Sequence, residues 1–240
     1  MNKWFKLFLF VPMLLLDLSG CMNQTDQNES VPPPDAPIVE AIEELTISFD
    51  SKQIKVSVDQ IPSLREYLIQ YDAAQRQEEL ERIVIRSFAS ETVGLFADIS
   101  YSCGVKLCNH VLIQIKNDEI KTLPFGSSSI FQKALFSPDE KMLGIVLGRN
   151  EGTELVRNNL FVVDIKRLEA AKVACSSDVV NQLVEVDSFI WPIHLIQWLD
   201  NKTLEVTVPQ LNDSSYDALV TWKKGNGAER ALQVELESSD

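Results

Sequence analysis

At 240 residues, with 45% hydrophobic residues and a formal charge of −13, the chain can bury one core of ordinary size or two small ones. So acidic a surface repels phosphate backbones and anionic headgroups; it excludes nucleic acid and electrostatic adsorption to membranes as expected partners, and it suits solubility. There is no Gly-x-Ser-x-Gly elbow, His-Glu-x-x-His pair, phosphate-binding loop or dinucleotide glycine fingerprint, so no reaction and no cofactor is indicated.

The chain opens with Lys3 and Lys6, runs through an uncharged apolar stretch from Leu7 to Leu16, and closes it with Leu18-Ser19-Gly20-Cys21. A membrane-crossing helix needs about 20 apolar residues. Asp17 ends this run too early, and Pro12 interrupts it. A charged start, a short apolar centre and small residues before a cleavage point are the parts of a secretory signal. Residues 1–20 with Cys21 resemble the signal peptide and lipobox of bacterial lipoprotein precursors. That resemblance implies cleavage before Cys21, a thioether-linked diacylglycerol on its sulfur, palmitate-type acyl chains, and residence on the extracytoplasmic side of a bacterial cell membrane. Each buried methylene adds about 0.8 kcal/mol, so two or three chains anchor far more firmly than one. Loss of residues 1–20 removes two lysines and one aspartate, which moves the formal charge to −14.

Residues 21–37 are rich in Asn, Gln, Asp, Glu and Ser and carry Pro32-Pro33-Pro34. Such composition cannot offset the entropy of ordering, and the prolines stiffen it into an extended spacer, so the segment reads as a disordered tether. Residues 38–240 then form a single domain with a hairpin-helix part over 38–82 and a β-rich part over 83–240. Leu45, Ile47 and Phe49 alternate before Asp50-Ser51-Lys52, and Ile54, Val56 and Val58 after it, which is a hairpin signal. Pro62-Ser63-Leu64-Arg65-Glu66 opens a helix whose Ser63 and Glu66 have capping-box spacing, with Leu64, Leu68 and Tyr71 on one face. Asp72 to Arg82 either continues that helix or forms a second one capped by Asp72.

From Ile83 the texture turns to strands, predicted over Ile83–Phe88, Thr92–Tyr101, Asn109–Ile115 and Glu119–Leu123. Between the second and third lie Cys103 and Cys108. Outside the cytoplasm thiols oxidise, and opposed hairpin positions suit a disulfide; the alternatives are unpaired thiols or a metal site of Cys103, Cys108 and His110 with His194 or Cys175. Ile130 to Leu168 reads as strand, a Ser137-Pro138-Asp139-Glu140-Lys141 turn, strand Met142–Leu147, polar loop, and strand Asn159–Ile165. This unit resembles a blade of the bacterial β-propeller repeats in which a Ser-Pro-Asp turn precedes a strand, with Glu140 where glycine is commoner. An echo runs through Ile196–Leu204, Val206 and Val208 to a further strand at Ala218–Lys223.

The expected fold is therefore α+β and β-dominated: a hairpin-helix unit on a propeller-like or sandwich-like antiparallel β region. Arg149, Asn150, Glu151 and Arg157 are the candidate binding residues, because Gly148–Gly152 is an unusually polar stretch between strands. The expected function is a non-enzymatic, lipid-anchored binding or accessory protein whose partner is an envelope protein or a small ligand. The alternatives are an envelope-polymer hydrolase, drawing its carboxylates from Asp139, Glu140, Glu151 and Glu154, and a metal or redox sensor using Cys103 and Cys108.

Overall fold

Alternating apolar residues set the first element, as expected. In a computed structural model, which describes residues 43–50, 52–90, 92–174 and 177–237, strands β1 (Glu44–Phe49) and β2 (Lys52–Ser57) pair antiparallel with Ile47 opposite Ile54. The signal segment, the tether, Cys21 and Cys175 lie outside the described residues. A single 3-10 turn, Val58–Gln60, follows, capped reciprocally by Ser57 and Gln60. Helix α1 (Pro62–Leu68) begins on proline, whose fixed φ is preorganised for the first helical position. The expected Ser63–Glu66 box is absent: Ser63 lies inside the helix, past the position where a side chain can cap, and its hydroxyl is buried without a partner. Leu64 and Leu68 are buried as expected. Asp72 caps a separate helix, α2 (Ala73–Glu81), in a box with Gln75.

Seven antiparallel strands follow in chain order as one meander: β3 (Val84–Ser90), β4 (Gly94–Tyr101), β5 (Cys108–Lys116), β6 (Glu119–Phe136), β7 (Met142–Glu151), β8 (Leu155–Asp164) and β9 (Glu169–Ala170). Strand β6 joins into one the two strands predicted at Glu119–Leu123 and from Ile130 to the Ser137 turn, with residues 124–129 as the unexpected link. Its first part pairs with β5, up to Cys108 opposite Ser129, and its second part pairs with β7 from Ile130 opposite Gly148. It turns between the two at Gly126 (φ +60°) and Ser128 (φ +42°). A Cβ on Gly126 would lie 2.2 Å from Leu147 Cδ1, so the handover depends on glycine both for conformation and for close approach. The expected polar loop after Leu147 is also mostly strand: Arg149 pairs with Arg157 and Glu151 with Leu155, leaving Gly152-Thr153-Glu154 as the turn. Polar side chains hid a ladder whose backbone bonds do not depend on them.

The Ser-Pro-Asp turn joins β6 to β7 through side-chain bonds to its own backbone. Ser137 Oγ donates to Asp139 Oδ1 at 2.8 Å and accepts from the Met142 amide at 3.0 Å. Glu140 takes the left-handed conformation, φ +56°, that explains why glycine is commoner there. Its carboxylate accepts from Ser90 Oγ at 2.5 Å and from Thr92. Burial pushes the Asp139 carboxyl up, but the Ser137 hydroxyl and Lys141 outweigh it and hold it below the ordinary carboxylate value. A lowered folded-state value stabilises above the unfolded value, about pH 4, and is lost as pH falls through the folded one. Asp139→Asn is therefore expected to cost about 1 kcal/mol at neutral pH, with urea midpoints of the two proteins converging in acid.

A third sheet, in the order β10 (Val173–Ala174), β13 (Glu229–Leu236), β12 (Thr203–Pro209), β11 (Leu195–Trp198), carries helices α3 (Asp178–Val184) and α4 (Tyr216–Lys224). Ala218–Lys223, expected as a strand, is part of α4. Ser215 caps that helix, and Leu219 and Trp222 are buried three residues apart, a helical spacing that outweighs the β propensity of the segment.

Three cores separate the layers. Ala97, Ile99 and Tyr101 of β4, with Val111 and Ile113 of β5, pack on Ile47, Leu64 and Leu68 of the hairpin-helix part. Phe96 and Leu112, on the opposite face, meet Leu143, Ile145 and Leu147 of β7. Val146, Leu160 and Val162 meet Leu204, Val206 and Val234 of the third sheet. Successive strand residues thus feed different cores. The fold is β-dominated and antiparallel with helices at its periphery; no propeller closure occurs among the described residues, where the sheets keep open edges.

Candidate functional site

Cys103 and Cys108 are joined, with S–S 2.13 Å and Cα–Cα 4.1 Å. They do not oppose each other across the hairpin. The β4–β5 ladder ends at Tyr101 opposite Asn109, and Cys108 pairs with Ser129 of β6, so the disulfide closes the loop just beyond the ladder. Gly104 N donates to Leu107 O at 2.9 Å, and Arg82 donates to the Cys103 carbonyl. The loop is fixed from inside and from outside, and Val105 stands 99% exposed at its tip. On the loop-closure model the bond contributes about 2 kcal/mol, so Cys103→Ser/Cys108→Ser should lose that much in urea titration and gain amide exchange at residues 104–107.

Beside this loop lies a groove of about 500 Å³ with Ser102, Gly104, Val105 and Leu107 on one side and Ser128 and Asn150 on the other. Three elements meet here: the disulfide loop, the turn within β6, and the end of β7. Arg149 locks the second wall. Its Nε and Nη2 donate to the carbonyls of Ser128 and Ser127 at 3.0 and 3.1 Å, and its guanidinium lies 4.1 Å from the Phe189 ring centroid. Asp187 accepts from the Ser127 amide at 3.0 Å and its hydroxyl at 2.8 Å.

The four candidate binding residues therefore divide. Asn150 lines the groove and Arg149 braces it. Glu151 and Arg157 face elsewhere, pairing with each other, while Arg157 also donates to the carbonyls of Ile190 and of Ser214, the latter at 2.9 Å. Arg157 thus ties β8 to the 190 and 214 segments. Val105, Ser127, Ser128, Asp187 and Phe189 escaped the sequence reading. Only the run Gly126-Ser127-Ser128-Ser129 carried a usable signal, as small residues interrupting an otherwise apolar strand.

Behind the groove is a buried polar cluster. Asp98, Ser100 and His110 are all buried on the face of β4 and β5 that meets β7. His110 Nε2 reaches the Ser129 carbonyl at 3.1 Å, and since a carbonyl only accepts, Nε2 is the donor of that bond. Nδ1 faces both Asp98 Oδ1 at 2.9 Å and Ser100 Oγ at 3.2 Å. Asp98 Oδ2 accepts from Ser100 Oγ at 2.8 Å and from Arg86 at 3.0 Å. In a hydrolytic triad, hydroxyl and carboxylate hold opposite nitrogens of the imidazole. Here they share one, and a backbone carbonyl occupies the other, so the cluster braces β3, β4, β5 and β6 and activates no nucleophile.

The alternative sites come apart in the same way. Cys103 and Cys108 bond each other and both nitrogens of His110 are engaged, so the proposed metal ligands are not assembled; among the described residues no group of three His, Cys, Asp or Glu side chains is placed to hold a metal. His194 pairs with Glu229 at 2.6 Å beside Trp222. Of the carboxylates considered for hydrolysis, Asp139 and Glu140 belong to the turn above, Glu151 to Arg157, and Glu154 to Lys224 at 3.2 Å. No protein-family model, curated protein or solved structure matches the chain.

Proposed function

We propose that this chain is a lipid-anchored extracytoplasmic binding or accessory protein of a bacterial envelope, which holds an envelope protein or small ligand and carries out no reaction of its own. The observation that carries the reading is the fixed display of Val105: an apolar side chain held in water by a disulfide, beside a groove whose far wall is braced by Arg149 and Asp187. Rigid scaffolding behind an exposed contact lowers the ordering cost of binding. The lipobox at Leu18–Cys21 supports the anchor, and the Cys103–Cys108 bond fits an oxidising compartment. We read the stacked meanders as blade-like layers, a reading supported by the Ser137-Pro138-Asp139 turn and by the left-handed Glu140 that follows it.

Growth with radiolabelled palmitate tests the anchor. The native chain should carry label and sediment with membranes, and Cys21→Ala should carry none and remain a precursor. Equal labelling of the two forms would overturn the anchor at Cys21.

A further inference from the structure

A second groove, of about 790 Å³, lies away from the disulfide loop between β2 and the ends of β4 and β5. Its floor is apolar, from Ile54, Leu95 and Ile115, and three lysines, Lys52, Lys55 and Lys116, stand at its rim. Lys55 is engaged by Glu44 at 2.8 Å, while Lys52 and Lys116 form no ion pair among the described residues. Asp118 is the single carboxylate among the described residues of the lining. In a chain of formal charge −13, a lysine-rimmed groove departs from the rest of the surface.

The strand bordering it is also unsaturated. Among the described residues β2 pairs only with β1, so one of its edges has no ladder partner there, and four consecutive residues, 52–55, line the groove. Consecutive residues point to opposite faces of a strand, so the groove runs along the edge of β2. Lysines on an edge repel a like-charged strand and prevent self-pairing. The same charges attract an acidic strand, whose backbone would complete the ladder while alternate apolar side chains fill the floor.

We propose that this groove binds an extended acidic peptide segment of a partner protein, added to the free edge of β2, with its carboxylates at Lys52 and Lys116 and its apolar side chains over Ile54, Leu95 and Ile115. The proposal is independent of the disulfide-loop groove.

The test uses the full lipidated chain in non-ionic detergent and three labelled, end-blocked hexapeptides: alternating Glu-Val, alternating Lys-Val, and alternating Glu-Pro, which keeps the charge but lacks every second amide N–H and is held by its prolines away from strand geometry. Binding is read by fluorescence anisotropy, and its location by amide exchange. Glu-Val should bind at least about tenfold tighter than either control and slow exchange in residues 52–57. Lys52→Glu/Lys116→Glu, at two exposed positions, should abolish that preference while leaving the far-ultraviolet spectrum unchanged. Equal binding of Glu-Val and Glu-Pro, absence of binding, protection elsewhere, or displacement of the peptide by equimolar inorganic phosphate would each overturn the proposal. The peptide comparison on the native chain decides the matter even if the double variant fails to fold.

Discussion

Asp98→Ala is expected to destabilise the domain by about 3 kcal/mol, because removing one partner of a buried charge pair strands the others. Asp98 is wholly buried and serves three groups at once: Arg86, Ser100 and His110. The Arg86 side chain is 39% exposed and regains water, which places the loss at the low end of what breaking a buried pair costs. For a domain of this size the melting temperature should fall by about 10 °C. Ser100→Ala removes the hydroxyl's contacts with Asp98, Arg86 and His110 but leaves Asp98 paired with Arg86 and His110, and should cost less, about 1–2 kcal/mol. A thermal scan by circular dichroism in which Asp98→Ala loses less than Ser100→Ala would mean that the cluster does not brace the strands beneath the disulfide loop.

The second large effect is at Asn158, whose side chain joins the middle sheet to the 187–193 segment behind the groove. Its Nδ2 donates to Gln132 Oε1 at 2.7 Å and to Leu147 O at 3.1 Å, and its Oδ1 accepts from Ile193 N at 2.7 Å. Next to it, Asn159 Nδ2 lies within 2.7 to 3.2 Å of the carbonyls of Leu183, Glu185 and Ser188, where α3 ends. Asn158→Leu keeps the volume but removes the side-chain bonds made to the part-buried Ile193 amide, the buried Leu147 carbonyl and Gln132, at about 1 kcal/mol each, or roughly 3 kcal/mol together. Amide exchange should rise first at Ile193 and then through Asp187 and Phe189, which hold Ser127 and Arg149. An unfolding midpoint close to the native one, with unchanged exchange at Ile193, would show that the segment is held by apolar packing alone.

Local chemistry explains which parts of this fold were legible. The β1–β2 hairpin, the Ser-Pro-Asp turn and the Asp72 cap each depend on residues within a few positions of one another; the first two were readable, and the cap stood as one of two readings of 72–82. The helix over 216–224 was misread because its apolar residues also suit a strand, and the deciding contact, Leu219 in the third sheet's core, is distant in sequence. The length of β6 was hidden because one strand serves two neighbours and its exposed and buried positions do not alternate along its whole course. At the candidate site, the cysteine pair and the polar stretch from Arg149 drew attention separately. Their convergence depends on the turn at Gly126–Ser129, and Asp187 and Phe189 reach it from a segment whose role is set by tertiary contacts alone.

The most direct test of the central claim, that the fixed disulfide loop presents Val105 to an envelope partner, is photocrosslinking in living cells with a light-activated residue replacing Val105. A second protein carries the same residue at Glu78, exposed on α2 and outside the lining of both grooves. The account predicts one discrete adduct from position 105 in the anchored chain, lost in Cys21→Ala and weakened by Cys103→Ser/Cys108→Ser, and none from position 78. Identical adduct patterns from the two positions, or an adduct at 105 indifferent to both the anchor and the disulfide, would contradict it.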